Sequence, residues 1–206
     1  LDLWFEKCIK KQLYGEAYLV RFADDFLIMF QYERDAQRVY EAIIKRMELF
    51  GLELSKEKTR ILPFGRYSAS RETFDFLGFT HFNSKTRKGY YSVGHKISRK
   101  KKKQFKSNLK RWVKENRNTQ FDEFMKALNK KLTGSFNYYS LSGMIREVRS
   151  LWIHSLYVTF KWLNRRSQRR SFKLERFYEI WNVRIIHPYI HVDIWSGDKV
   201  IYNKNV

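Results

Sequence analysis

Apolar positions recur along this chain in two textures, short alternating runs first and long helical stripes later. Leu1, Trp4, Phe5, Cys8, Ile9 and Leu13 fall at helical spacing and predict a helix over residues 1–13, stopped by Gly15. Residues 18–30 read as apolar strand, tight turn, apolar strand: Tyr18, Leu19, Val20 and Phe22 on one side, Phe26, Ile28 and Phe30 on the other. Ala36, Val39, Tyr40, Ile43, Ile44, Met47 and Phe50 form one stripe and predict a helix over 33–50, with Gly51 at its stop. Residues 51–62 predict a turn with a short strand at each end, closed by Pro63 and Gly65. Residues 74–81 alternate bulky side chains around Gly78 as a strand, and 90–93 pair back after the Lys88-Gly89 turn. The first 95 residues are therefore mixed, with antiparallel pairing.

From Ser98 the texture changes. Phe105, Leu109, Trp112 and Val113 make one helical stripe; Phe121, Phe124, Met125, Leu128 and Leu132 make a second, which Gly134 is expected to break. Ser142 is placed to cap a third helix running through Ile145, Val148, Trp152, Leu156, Phe160 and Leu163. A basic connector over 164–171 leads to a last short helix over 172–181. His187 and His191 are four apart, but Pro188 interrupts the helix that such a ligand pair needs, so they read as structural. The fold class is α+β, with an all-helical second part.

Charge sharpens this division. The 206 residues carry a net charge of +21. Residues 1–95 hold 16 Lys and Arg against 13 Asp and Glu, residues 96–181 hold 23 against 6, and residues 182–206 hold 3 against 2. A middle segment so cationic implies a polyanionic partner, nucleic acid in preference to a membrane surface. No apolar run is long enough to span a bilayer, and the single cysteine, Cys8, excludes an internal disulfide or a cysteine-cluster zinc site. An intracellular, cytoplasmic protein is expected.

Asp24 and Asp25 interrupt an otherwise oily hairpin. Paired carboxylates beside apolar strands are costly unless a cation or hydrogen bonds hold them. A hard divalent cation such as Mg²⁺ takes oxygen ligands of this kind together with substrate phosphates. The alternative is an ordinary turn that uses aspartate as a favoured turn residue.

The ordered set of motifs resembles a known family. Phe22-Ala-Asp-Asp25 between apolar strands resembles the catalytic hairpin of reverse transcriptases. Gly51-Leu-Glu-Leu54 with Lys58-Thr59 resembles the next motif, and Phe76-Leu-Gly-Phe79 resembles the primer grip. Residues 128–139 and 162–172 are similar to the thumb, or maturase domain, of group II intron reverse transcriptases. The resemblance implies a partial palm over 1–95, a helical thumb over 96–181 and an unassigned tail over 182–206. It implies RNA-directed DNA synthesis by two-metal nucleotidyl transfer, with two Mg²⁺ ions in the complete enzyme and intron RNA bound during splicing. The partners implied are intron and template RNA, an RNA–DNA duplex and deoxynucleoside triphosphates, with no membrane. Phe22 stands where the family usually has tyrosine, which removes a hydroxyl and predicts tuning, not inactivation. The family's first palm aspartate and its fingers precede the hairpin, so the chain reads as a fragment, inactive alone, whose exposed palm edge favours self-association.

Within that resemblance Asp24 is the leading metal ligand and Asp25 its support. Lys58 is the candidate charge for the triphosphate or departing pyrophosphate, or else a solvated lysine. Phe76, Leu77, Gly78 and Phe79 back the primer terminus or, for the bulky three, simply fill the core. Arg99, Lys100, Lys101, Lys102 and Lys103, with Arg165, Arg166, Arg169 and Arg170, are candidate phosphate contacts. Tyr138 and Tyr139 either stack on unpaired bases or pack between helices. A second function class stays open: an RNA-binding splicing factor in which the palm is only scaffold.

Overall fold

The computed structural model describes residues 1–55, 57–166 and 171–193. The chain divides into two compact units, Leu1–Leu77 with His81–Val93, and Gly78–Thr80 with the chain from Gly94 onward.

In the first unit the amino-terminal segment is helical but irregular. One α turn, α1 (Asp2–Trp4), passes into a π turn (Phe5–Ile9) and a 3₁₀ turn (Lys10–Gln12). Strands β1 (Ala17–Phe22) and β2 (Asp25–Phe30) form an antiparallel hairpin in the register Ala17↔Phe30 through Phe22↔Asp25. Because successive strand side chains alternate between faces, Ala17, Leu19, Phe26, Ile28 and Phe30 share one face. They pack with Phe5 and Ile9 and with Val39 and Ile43 of α2 (Glu33–Glu48). The other face leaves Tyr18, Val20, Phe22 and Met29 exposed.

One buried acid ties this unit together. Asp35, 1% exposed in the first turn of α2, accepts hydrogen bonds from the Tyr14 and Gly15 amides, each at 3.0 Å. It joins the start of α2 to the turn that launches β1, and its charge complements the helix amino terminus.

Residues 51–62 form no strand among the described residues. The Lys58 and Thr59 amides both donate to the Ser55 carbonyl, at 3.0 and 2.9 Å, and close a turn where two short strands were expected. The expected strand over 74–81 is instead a hairpin, β3 (Thr73–Phe76) and β4 (Phe79–Lys85). Leu77 and Gly78 carry φ of 50° and 81°, the left-handed pair that a tight two-residue turn requires. β5 (Tyr91–Ile97) completes a sheet of order β3-β4-β5. The Asn83 side chain anchors the preceding loop, accepting from the Gly65 amide and the Tyr91 hydroxyl and donating to the Ser70 carbonyl.

The second unit is helical: α3 (Arg99–Asn116), α4 (Phe121–Tyr139), α5 (Ile145–Leu163) and α6 (Leu174–Arg184). Its core joins Leu109 and Val113, Phe124, Leu128 and Leu132, Leu151 and Leu156, and Phe177 and Trp181. Helix α4 runs straight through Gly134, contrary to expectation. Leu132 and Phe136 are buried on either side of the glycine, and that packing outweighs its cost of about 1 kcal/mol. Ser142 does not cap α5. The helix starts from Met144, and Ser142 sits in a turn with Gly143 (φ 85°), its carbonyl accepting from His95 Nε2–H at 3.0 Å. Beyond α6, Trp152 Nε1–H donates to the Ile186 carbonyl and the Ile186 amide donates to Asn129. Val192 forms a parallel bridge with Leu141. His187 lies against the Trp152 ring, with centroids 5.1 Å apart.

Asp35→Ala removes two charge-assisted bonds that join the Tyr14–Gly15 turn to α2 and should cost about 2 kcal/mol. Denaturant unfolding read by the first unit's signals checks this, and Asp35→Asn should fall between the variant and the wild type.

Candidate functional site

Asp24 and Asp25 occupy the tip of the first hairpin, where Ala23 and Asp24 form the two-residue turn and Phe22 pairs with Asp25. Both carboxylates are exposed, and neither has a hydrogen-bond or ion-pair partner among the described residues. The turn makes this possible. Ala23 takes φ of 53°, a left-handed conformation uncommon for alanine, and so closes the tight turn that sets Asp24 and Asp25 next to each other at the end of the hairpin.

Arg21 holds that turn. Its Nη1 donates to the Ala23 carbonyl at 3.0 Å, while Nε and Nη2 grip Asp2 bidentately at 2.8 and 2.7 Å. The nearest guanidinium in sequence is thus spent on Asp2 and on the backbone, not on the Asp24–Asp25 pair. The hydrogen bond from Arg21 holds the Asp2 carboxyl below the ordinary carboxylate value, and the Arg21 guanidinium is pushed up in turn. The sequence reading missed both residues. The signal for Arg21 was a cation on the inward register of an apolar strand; nothing marked Asp2.

Two adjacent unpaired carboxylates suit a hard cation as one arm of its coordination shell. Among the described residues no group of three or more His, Cys, Asp or Glu side chains converges to hold a metal ion. The remaining oxygen ligands would have to come from substrate phosphates, from water or from other residues. Lys58 lies in the turn after Ser55, exposed, its side chain without a hydrogen-bond or ion-pair partner among the described residues.

In the second unit several candidates named separately from the sequence meet. A Cβ built on Gly78 would stand 3.4 Å from Lys101 Cγ and 3.7 Å from the Tyr139 hydroxyl. The Gly78 carbonyl accepts from the Ser98 amide at 2.9 Å, and Ser98 caps α3 by accepting from the Lys101 amide. Phe79 stacks on Tyr138 and meets Tyr139 edge-on, with centroids 5.6 and 5.5 Å apart. The end of the expected primer grip, the basic block and the tyrosine pair therefore form one cluster at the start of α3. Phe76 and Leu77, both half-buried, precede it in the first unit.

The two tyrosines differ. Tyr138 is 53% exposed and Tyr139 only 9%, so the first presents a face while the second is core. Burial pushes the Tyr139 hydroxyl above its ordinary value. In the basic block, Arg99, Lys100, Lys101 and Lys103 are exposed, while Lys102 is spent on Glu147 at 2.9 Å. Arg165 lies over the Trp162 ring, Cζ 5.6 Å from its centroid, and Arg166 donates to the Leu163 carbonyl. Arg169 and Arg170 lie outside the described residues.

Two outcomes test this geometry. Arg21→Gln should leave the unfolding midpoint unchanged, since the ion pair is exposed, while raising amide exchange at Asp24 and Asp25. Tyr139 is kept neutral in the fold, so stability should fall as pH rises past the ordinary tyrosine value of 10.0. Tyr139→Phe should hold its thermal midpoint to higher pH than the wild type.

Residues 3–81, a span that starts in α1 and ends in β4, match the family model for reverse transcriptase (RNA-dependent DNA polymerase). The matched span includes the whole of the β1–β2 hairpin. No curated protein matches the chain.

Proposed function

We propose that this chain contributes the catalytic hairpin and the nucleic-acid-gripping helices of an RNA-directed DNA polymerase of the group II intron type. Residues 1–95 serve as the end of the palm, residues 96–181 as the thumb, and residues 182–206 as a tail without an assigned role. The observation that carries the reading is the unpaired Asp24–Asp25 tip inside the span that matches reverse transcriptases.

Asp24 leads and Asp25 supports one arm of a Mg²⁺ site. When bound, the metal supplies activation of a primer 3′-oxygen and charge stabilisation of the pyrophosphate leaving group. The chain's own part is positional. Ala23 turns the backbone, Arg21 fixes the turn through its carbonyl, and Phe22 presents an apolar ring beside Asp25 where the family's usual tyrosine would add a hydroxyl. Lys58 offers a point charge to the triphosphate. Phe76, Leu77, Gly78 and Phe79 back the primer terminus. Gly78 can do so because its positive φ and absent side chain leave room beside Lys101. Arg99, Lys100, Lys101, Lys103, Arg165 and Arg166 take template, hybrid or intron phosphates, Lys102 does so only by leaving Glu147, and Tyr138 stacks on an unpaired base.

A second reading, a splicing factor that binds RNA without catalysis, draws on the charge distribution, since residues 96–181 hold a net +17. Both readings are tested in the full natural polypeptide. Asp24→Ala should lower primer extension on an RNA template by about a hundredfold or more and leave RNA affinity unchanged. Extension that persists in Asp24→Ala would refute the polymerase reading. Splicing that survives the substitution while extension is lost would assign both roles to one chain.

A further inference from the structure

Three cations of the second unit converge on one indole. Lys114 Nζ, Arg117 Cζ and Arg165 Cζ lie 5.8, 5.6 and 5.6 Å from the centroid of the Trp162 ring. They come from different places in the chain: the last turn of α3, its carboxy-terminal cap, and the first residues after α5. None of the three has a carboxylate partner among the described residues. Each lies within reach of a cation–π attraction. With every head that close to one centroid, no two stand more than about 12 Å apart, and physiological salt screens their repulsion only in part. Like charges held in this way are arranged for an anion.

The cluster continues along α3. Ser107, Lys110, Arg111, Lys114 and Glu115 lie together along one face of the helix. Strip and cluster together span residues 107–117, about 15 Å of helix, enough to run beside about three consecutive phosphates of one nucleic-acid strand. Among the described residues named for strip and collar, five are cations and one, Glu115, is a carboxylate. The opposite, apolar face of α3 is buried, with Leu109 and Val113 at 2% and 0% exposure. Phe105 and Trp112, half-buried, pack against the same core, so the apolar face of this helix is turned inward and not offered to a lipid interface as in a membrane-surface helix.

We infer that the strip from Ser107 to Arg117, ending in the Lys114–Arg117–Arg165 collar on Trp162, is a phosphodiester-binding track. The choice of nucleic acid as the polyanion rests on the polymerase reading. The track does not involve the Arg99–Lys103 block, which heads the same helix. The indole acts as a post that positions three heads. Its faces already hold cations, so it is not a stacking platform for bases. The amide of Asn164 accepts from the Phe172 amide and donates to the Phe172 carbonyl, at 2.8 and 3.1 Å, which pins the stretch carrying Arg165 close to the ring.

The test is equilibrium binding of the full chain to a fluorescent RNA hairpin and to the matching RNA–DNA hybrid, across a salt series. Lys114→Gln/Arg117→Gln/Arg165→Gln should weaken binding about ten- to a hundredfold at 0.1 M salt and flatten the log K against log salt slope by about two. A charge-matched control on the first unit, Lys7→Gln/Lys11→Gln/Arg38→Gln, should change affinity less than about threefold. Trp162→Phe keeps the cations and a ring, and should weaken binding several-fold with the slope unchanged. Circular dichroism and thermal midpoints matching the wild type separate these effects from unfolding. A hairpin response with no hybrid response assigns the track to RNA, and the reverse to the product duplex. An unchanged slope in the triple variant, an equal loss in the control, a silent Trp162→Phe, or equal binding to phosphatidylserine vesicles would overturn the track. Primer extension is not read in any arm, so the track and the Asp24 chemistry fail separately.

Discussion

Charge without a counter-ion is held in place by packing and, at Trp162, by the ring that three cations share. This protein meets that constraint twice with opposite signs. The Asp24–Asp25 pair sits on a hairpin whose inner face is buried against Phe5, Val39 and Ile43, with a backbone turn that Arg21 braces. The cations of the second unit stand largely on helices anchored in the core by buried residues, Leu109 and Val113 among them. In each case the apolar side of an element supplies rigidity, and the exposed side carries charge that only a ligand would neutralise.

The neutral pairs that do exist are placed so as not to blunt this arrangement. Arg21 is the cation closest in sequence to the aspartates, and it is occupied by Asp2. Glu147 takes one lysine of the basic block, leaving its neighbours exposed. Asp35, the one buried acid among the described residues, accepts two backbone amides on a single oxygen and serves the fold, not the site.

Much of this was legible in the sequence, and where it was not the reasons are physical. The hairpin, the α2 stripe and the long basic helices follow from periodicity, which reports burial directly. Gly134 misled because local propensity is weak beside the burial of Leu132 and Phe136. Residues 74–81 misled because a leucine at positive φ conceals a turn: only Gly78 carried a turn signal, and alternation continued through it. Ser142 misled because a good capping residue lay three positions before the helix it was thought to start. In the candidate site, the adjacent carboxylates announce themselves, while Asp2 gripping Arg21 and three cations meeting on Trp162 depend on residues far apart in the chain. No window of sequence contains such meetings.

The Asn164–Phe172 clasp has a consequence for how this protein can vary. It brings the two ends of an arginine-rich stretch together through two bonds from one side chain to the Phe172 main chain. Phe172, held in this way, lies against Phe121 and Phe177, with centroids 5.3 and 5.5 Å apart. Loss of the Asn164 amide would therefore loosen the aromatic core at Phe172 as well as the turn that follows α5.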